Sequence, residues 1–346
     1  NSPDKTASPK GWYFSQGTDK PLVTSGNNAV AVMPVDQAEN KQEAAQPSFN
    51  PGARLPSAAS NKEAGAINAH RVANNMHDLS YNYGFTEAAG NFQRENYGKG
   101  GKGEDEVLIV TRDSFMPNNA AMMVVPDGEK PSIRIGLFGD SGSSRDGGLD
   151  NDVVIRAYSQ GIAARLVGGS AESECLQGTD QASGLSEGVG NFFALSMKIK
   201  KSDTRSSALK LADYVVPKGI NQNPYSTDTS VNPTNYAMLN DEKVRKNPGQ
   251  VGELWATILY ELHWNLVDKL GFDENKYSAN IAKGNTLTLK LVVDSLMLMP
   301  CHPTLIEARN ALIQAMVVLT GEQHMCELWK AFSKRGLGPN ARSNAD

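Results

Sequence analysis

Apolar and polar positions change their rhythm near residue 150. Before that point, short alternating runs sit between turns. Asn28–Met33, Glu106–Thr111, Ala121–Val125 and Ser132–Phe138 read as strands. GNN at 26–28, NPG at 50–52, GKGGKG at 98–103, PDG at 126–128 and GDSGSSRDGG at 139–148 supply the turn chemistry between them. One helix interrupts this region, from about Ala64 to Tyr83, with Ile67, Val72, Met76, Leu79 and Tyr83 recurring at helical spacing. After residue 150 the period is helical, and 152–167, 184–199, 205–214, 250–271, 285–299, 304–320 and 323–335 are predicted as helices. Thr304 and Glu307 form a capping box; Gly271 and Gly336 stand at helix ends. The Pro/Gly/Asn-rich stretch 215–249 reads as a long ordered loop. The expected fold class is α+β: a β-rich N-terminal domain over 1–150 and an α-helical C-terminal domain over 151–346, with a ligand cleft expected at their junction.

Composition narrows the function classes. The 346 residues are 39% hydrophobic and 21% charged, the balance of a folded globular chain. The apolar run Leu287–Met299 is interrupted by Lys290 and Asp294, so no membrane span is expected. A net charge of −4 with no basic stripe excludes nucleic acid as an expected partner.

The helix at the junction, VVIRAYSQGIAARLVGG (153–169), holds the candidate chemistry. Val154, Tyr158, Ile162 and Leu166 make an apolar stripe, and Arg156 and Gln160, four residues apart, share another face. A zinc protease uses that spacing in H-E-x-x-H, for two imidazole ligands and a carboxylate base. Laid on that motif, Arg156 and Gln160 take the ligand positions and Ala157 the base position. An arginine does not give up its proton to become a ligand, and an alanine accepts none.

Longer runs justify the overlay. NNMHDLSYNYGFTEAAGNFQRENYGKGGKGEDEV (74–107), NNAAMMVVPDG (118–128), RDGGLDNDVVI (145–155), GLSEGVGNFFA (184–194), GELWATILYELHWNLVDKLGF (252–272) and CELWKAFSKRGLG (326–338) occur in order, after an opening SPKGWYFSQGT and GNNAVA. The chain resembles the fungalysin family, secreted fungal zinc metalloproteinases with a thermolysin-like two-domain fold. The resemblance implies that Glu187 matches the third zinc ligand. Asn191 stands where the family has an aspartate, and Gly249 where it has a histidine suited to transition-state donation. Asn119 and Ala120 match the strand edge that holds a substrate backbone. With two of three ligands replaced, zinc, expected in the family, is predicted absent here. The chain is then expected to be no enzyme but an inactive homologue with a binding, structural or self-assembly role, its partners other proteins or itself. The alternative is a secreted endopeptidase with an unusual zinc site. Arg156 is expected to pair with Glu187, unless an open, wet cleft leaves the carboxylate alone.

Of five histidines, His70 and His77 read as packing and hydrogen-bonding residues, and Glu253 and Glu261 as structural. Cys301-His302 with His324 and Cys326 offers a second possible metal set. The secretion implied by the resemblance favours instead a Cys301–Cys326 disulfide, with Cys175 unpaired. Extracellular localisation, in a mature form after removal of a signal peptide and propeptide, is likewise expected from the resemblance.

Overall fold

The computed structural model describes residues 2–13, 24–33, 43–44, 62–140 and 143–342. The NPG turn at 50–52 and residues 14–18 of the opening run lie outside the described residues.

The strands are β1 (Ala29–Met33), β2 (Glu43–Ala44), β3 (Val107–Thr111), β4 (Ala120–Met123), β5 (Ser132–Ile135), β6 (Leu137–Phe138) and β7 (Arg145–Asp146). Five of them form a sheet in the order β2-β1-β3-β5-β4, and β6 and β7 form a separate hairpin-like pair. β1, β3 and β5 run parallel; β2 and β4 are antiparallel edges. Helix α1 (Lys62–Asn82) packs on the sheet, its His70 Nε2 3.2 Å from the Ala29 carbonyl oxygen. The run read as one strand, Ser132–Phe138, is broken at Gly136. Any Cβ there would stand 1.7 Å from the Met116 carbonyl oxygen, so the chain passes only as glycine and turns from β5 into β6.

The helices that follow are α2 (Asn151–Leu166), α3 (Asp180–Lys198), α4 (Glu242–Arg245), α5 (Pro248–Leu270), α6 (Gly284–Leu298), α7 (Leu305–Thr320) and α8 (Met325–Lys334). Thr179 caps α3, so that helix starts four residues before the expected position. The capping box of Thr304 and Glu307 is formed, and Pro248 opens α5 behind the Asn247 cap.

The expected helix at 205–214 is absent. Leu209 instead bridges to Tyr225, and Asp152 of α2 accepts from the Ala212 backbone N–H at 2.9 Å. Asp150 accepts from Val215 N–H, so the backbone of this segment is satisfied by the start of α2 rather than by itself.

The expected Cys301–Cys326 bridge is also corrected. Cys175, after α2, joins Cys301, after α6, and Cys326 is free and exposed on α8. The sixteen residues of α7 lie between Cys301 and Cys326 and separate the two by about 24 Å of helix. A disulfide needs its Cα atoms within roughly 7 Å. The same arrangement removes the second metal set: His302 Nδ1 lies 2.8 Å from the Gln177 carbonyl oxygen.

One hydrophobic cluster runs from Ile109 and Ile133 of the sheet through Tyr158 and Ile162 of α2 to Trp255 of α5 and Leu328 of α8. Among the described residues, no helix is long and apolar enough to cross a membrane.

Candidate functional site

The crossing of α2, α3 and α5 sets the site. Along VVIRAYSQGIAARL nearly every side chain is buried, Ala157 included, and Arg156 and Gln160 are the partly open positions of the helix's middle turns. Glycines on α3 and α5 let the two helices come close. A Cβ at Gly188 would lie 2.8 Å from that of Trp255, and one at Gly252 would lie 2.6 Å from that of Glu187. This close approach seats Glu187 at the helix crossing.

Arg156 reaches from α2 to α3. Its Nη2 donates to Glu187 Oε2 at 2.7 Å, and its Nε donates to Asn191 Oδ1 at 2.5 Å. The two charged side chains are 21% and 33% exposed, which makes this a half-open ion pair rather than a buried one. Gln160, one turn along, does not join the pair; its Cγ lies beside Gly190 at the α2–α3 crossing.

The pair lies in a cleft of about 390 Å³. One wall is the sheet edge, with Asn118, Asn119 and Ala120. The other is the first turns of α5, with Gly249, Gln250 and Glu253, and the loop 220–222. Glu253, read from the sequence as structural, is both structural and part of this wall. It accepts from the backbone N–H groups of Gln222 and Asn223 and so fixes the loop that overhangs the cleft. The loop belongs to the stretch 215–249, whose length already marks it as of a functional kind, whereas Glu253 carries only one signal in the sequence, that it follows Gly249 by one helical turn. Beneath the wall, burial pushes the Tyr225 phenol well above its ordinary range, with the Glu253 carboxylate adding to the rise.

β4 offers its backbone to this cleft. Asn119 C=O accepts from Gly136 N–H, facing inward. Strand alternation then turns the N–H and C=O groups of Ala120 and Met122 outward, along the free edge. Ala120 N–H is taken by the Asn119 side chain at 2.8 Å.

The other singled-out groups have structural work. His77 Nδ1 lies 3.0 Å from Asp78 Oδ1, and its Nε2 is 3.0 Å from Gln93 Oε1. Asp78 also accepts from Ser8 and Trp12, which ties the N-terminal segment to α1. Glu261 is fully buried and paired with Arg335 and Lys334.

The comparisons with known proteins bear on this cleft. Residues 1–341 match the model of the fungalysin metallopeptidase family, M36. The chain belongs to that family. An extracellular metalloproteinase MEP of Pyricularia oryzae is 39% identical over 355 residues, spanning 98% of this chain and 55% of that protein. Extracellular metalloproteinase 2 of Trichophyton tonsurans is 41% identical over 275 residues, spanning 78% of this chain and 43% of that one. The chain thus spans about half the length of the curated relatives it matches. The precursor of protealysin, a metalloproteinase from Serratia proteamaculans, superposes with a TM-score of 0.52 at 16% identity, covering 91% and 90% of the two chains. The fold is α+β and thermolysin-like. The protein is extracellular, and the Cys175–Cys301 bridge suits an oxidising compartment.

These findings correct the expectation that the chain is no enzyme. Relatives 36–39% identical over nearly its whole length are named extracellular metalloproteinases, which points to a protease. The substitutions on α2 alter a ligand set; they do not show loss of activity.

Proposed function

We propose that the cleft receives an extended segment of polypeptide as an added strand along β4, and that it does so without zinc. One observation carries this reading: the start of the free β4 edge, at Asn119 and Ala120, and the Arg156–Glu187 pair line the same cleft. Main-chain hydrogen bonds to a free strand edge give affinity for any extended peptide, and the groups facing it select among side chains. Polypeptide is also what proteinases act on, the class named for the relatives.

The residues present do not fit a catalytic zinc. A zinc site takes about three imidazole, thiolate or carboxylate ligands. Here α2 and α3 bring together a guanidinium, two carboxamides and one carboxylate, and the guanidinium is bound to that carboxylate. A fixed positive charge already sits where a dication would need to approach.

A fluorescein-labelled casein digest titrated with the protein tests this. Saturable anisotropy is expected, unchanged by chelator or by added zinc, with peptide cleavage followed separately in the same samples. Absence of binding, or binding that chelator abolishes and zinc restores, would overturn the reading.

A further inference from the structure

The Arg156–Glu187 pair leaves one donor nitrogen and one acceptor oxygen without a partner among the described residues. Nε and Nη2 of the guanidinium are engaged, and Glu187 accepts through Oε2. Among the described residues, Nη1 of Arg156 and Oε1 of Glu187 have no protein partner, and neither is among the buried unsatisfied atoms. Both therefore meet the water of the cleft. Asn191 holds Nε and Glu187 holds Nη2, so two residues of α3 fix the guanidinium plane in which Nη1 also lies.

The chemistry of a matching ligand group follows. The pair is neutral as a unit, so a ligand carboxylate would gain Arg156 and meet Glu187, while an ammonium would gain Glu187 and meet Arg156. Glu253 adds a second carboxylate to the wall, and the remaining polar lining is mainly carboxamide. A group with an acceptor and a donor on the same edge satisfies both free atoms without added charge. Within one trans peptide group the C=O and N–H point in opposite directions; an extended residue's own N–H and C=O do share an edge, and the residues of an added strand that face β4 spend that edge there. A primary carboxamide is such a group, because its C=O and one N–H share an edge.

Resting on the reading of the cleft as a peptide groove, we propose that Arg156 and Glu187 form a clamp for a primary carboxamide: an asparagine or glutamine side chain of the bound polypeptide. Arg156 Nη1 donates to the ligand carbonyl oxygen, and the ligand N–H donates to Glu187 Oε1. Main-chain contacts to β4 give general affinity, and the clamp selects one side chain. Both bonds are charge-assisted, the stronger kind.

A fluorescein-labelled positional-scanning decapeptide library, varied among Gln, Glu and Lys, tests the clamp. One position should prefer Gln over both Glu and Lys by at least about tenfold, the scale of losing one charge-assisted bond. In Glu187→Gln the pair becomes a cation beside an amide, and the preference at that position should move from Gln to Glu. A merely structural role for Glu187 does not predict that exchange. Circular dichroism melting confirms that the variant is folded; Glu187→Asp, which keeps the charge, should retain the preference for Gln and serves if Glu187→Gln is not folded. Equal binding of Gln, Glu and Lys peptides, or a preference unchanged in Glu187→Gln, overturns the clamp while leaving the groove. Absence of binding by every peptide removes the groove itself.

Discussion

Arg156 and Arg335 each hold a glutamate, under different solvent conditions. The Arg156–Glu187 pair is half-open, at 21% and 33% exposure, whereas Arg335 and Glu261 are 1% and 0% exposed. Exposed and half-exposed pairs contribute about 0–1 kcal/mol. Breaking a fully buried pair strands a charge and costs about 3–5 kcal/mol. Arg335 also donates to the carbonyls of Ser226, Asn232 and Thr234, so its loss frees part of the loop beneath α5. Urea unfolding should therefore show Arg156→Ala within about 1 kcal/mol of the natural chain and Arg335→Ala lower by about 3–5 kcal/mol. Equal losses would mean that the cleft pair holds the fold rather than serving a ligand. Arg156 became legible as a site residue only through its place in a motif. By pattern alone it is a polar position on a buried helix, and Glu253 gave still less, because its role depends on a loop packed against it.

Helices carry the next level. Those with a sustained 3.6-residue period and a cap were legible: α1, α5 and α7 lie within a few residues of their expected bounds. The segment 205–214 is not a helix because Leu209 and Leu211 also suit an extended path, and the carboxylate that binds its backbone at Ala212 is Asp152 of α2. Cysteine pairing failed for a similar reason: the separation imposed by α7 is not visible until the helices are placed.

Two buried histidines on these helices make stability depend on pH. Burial lowers His70 of α1 to about 4 and His263 of α5 to about 3. The unfolded chain takes up these protons near the ordinary value of about 6.5. Between those limits the unfolded state binds more protons, so stability rises with pH and is lost as pH falls below about 6.5. Each histidine contributes a slope of about 1.4 kcal/mol per pH unit within its window. Unfolding free energies at pH 7, 6 and 5 should show this decline, and His263→Phe should flatten it by about that slope. An unchanged slope would show that His263 is not held neutral.

The whole molecule joins an open-edged sheet to a helical layer through one continuous core. Its cleft forms where β4, α2, α3 and α5 converge. The α+β class and the family were legible because they rest on long ordered runs. The ligand chemistry was not, because it rests on which atoms of Arg156 and Glu187 remain unused once the helices cross. The bridge from Cys175 to Cys301, 126 residues apart, ties the loop after α2 to the loop after α6.

Backbone amide exchange along β4 tests the peptide groove most directly, because the outward N–H of Met122 belongs to the edge that an added strand would cover. With saturating casein digest, hydrogen–deuterium exchange should slow over residues 119–123 and over the 220–223 loop, while the protein surface formed by α7 and α8 exchanges as before. Saturable binding with unchanged exchange at β4 would contradict the account.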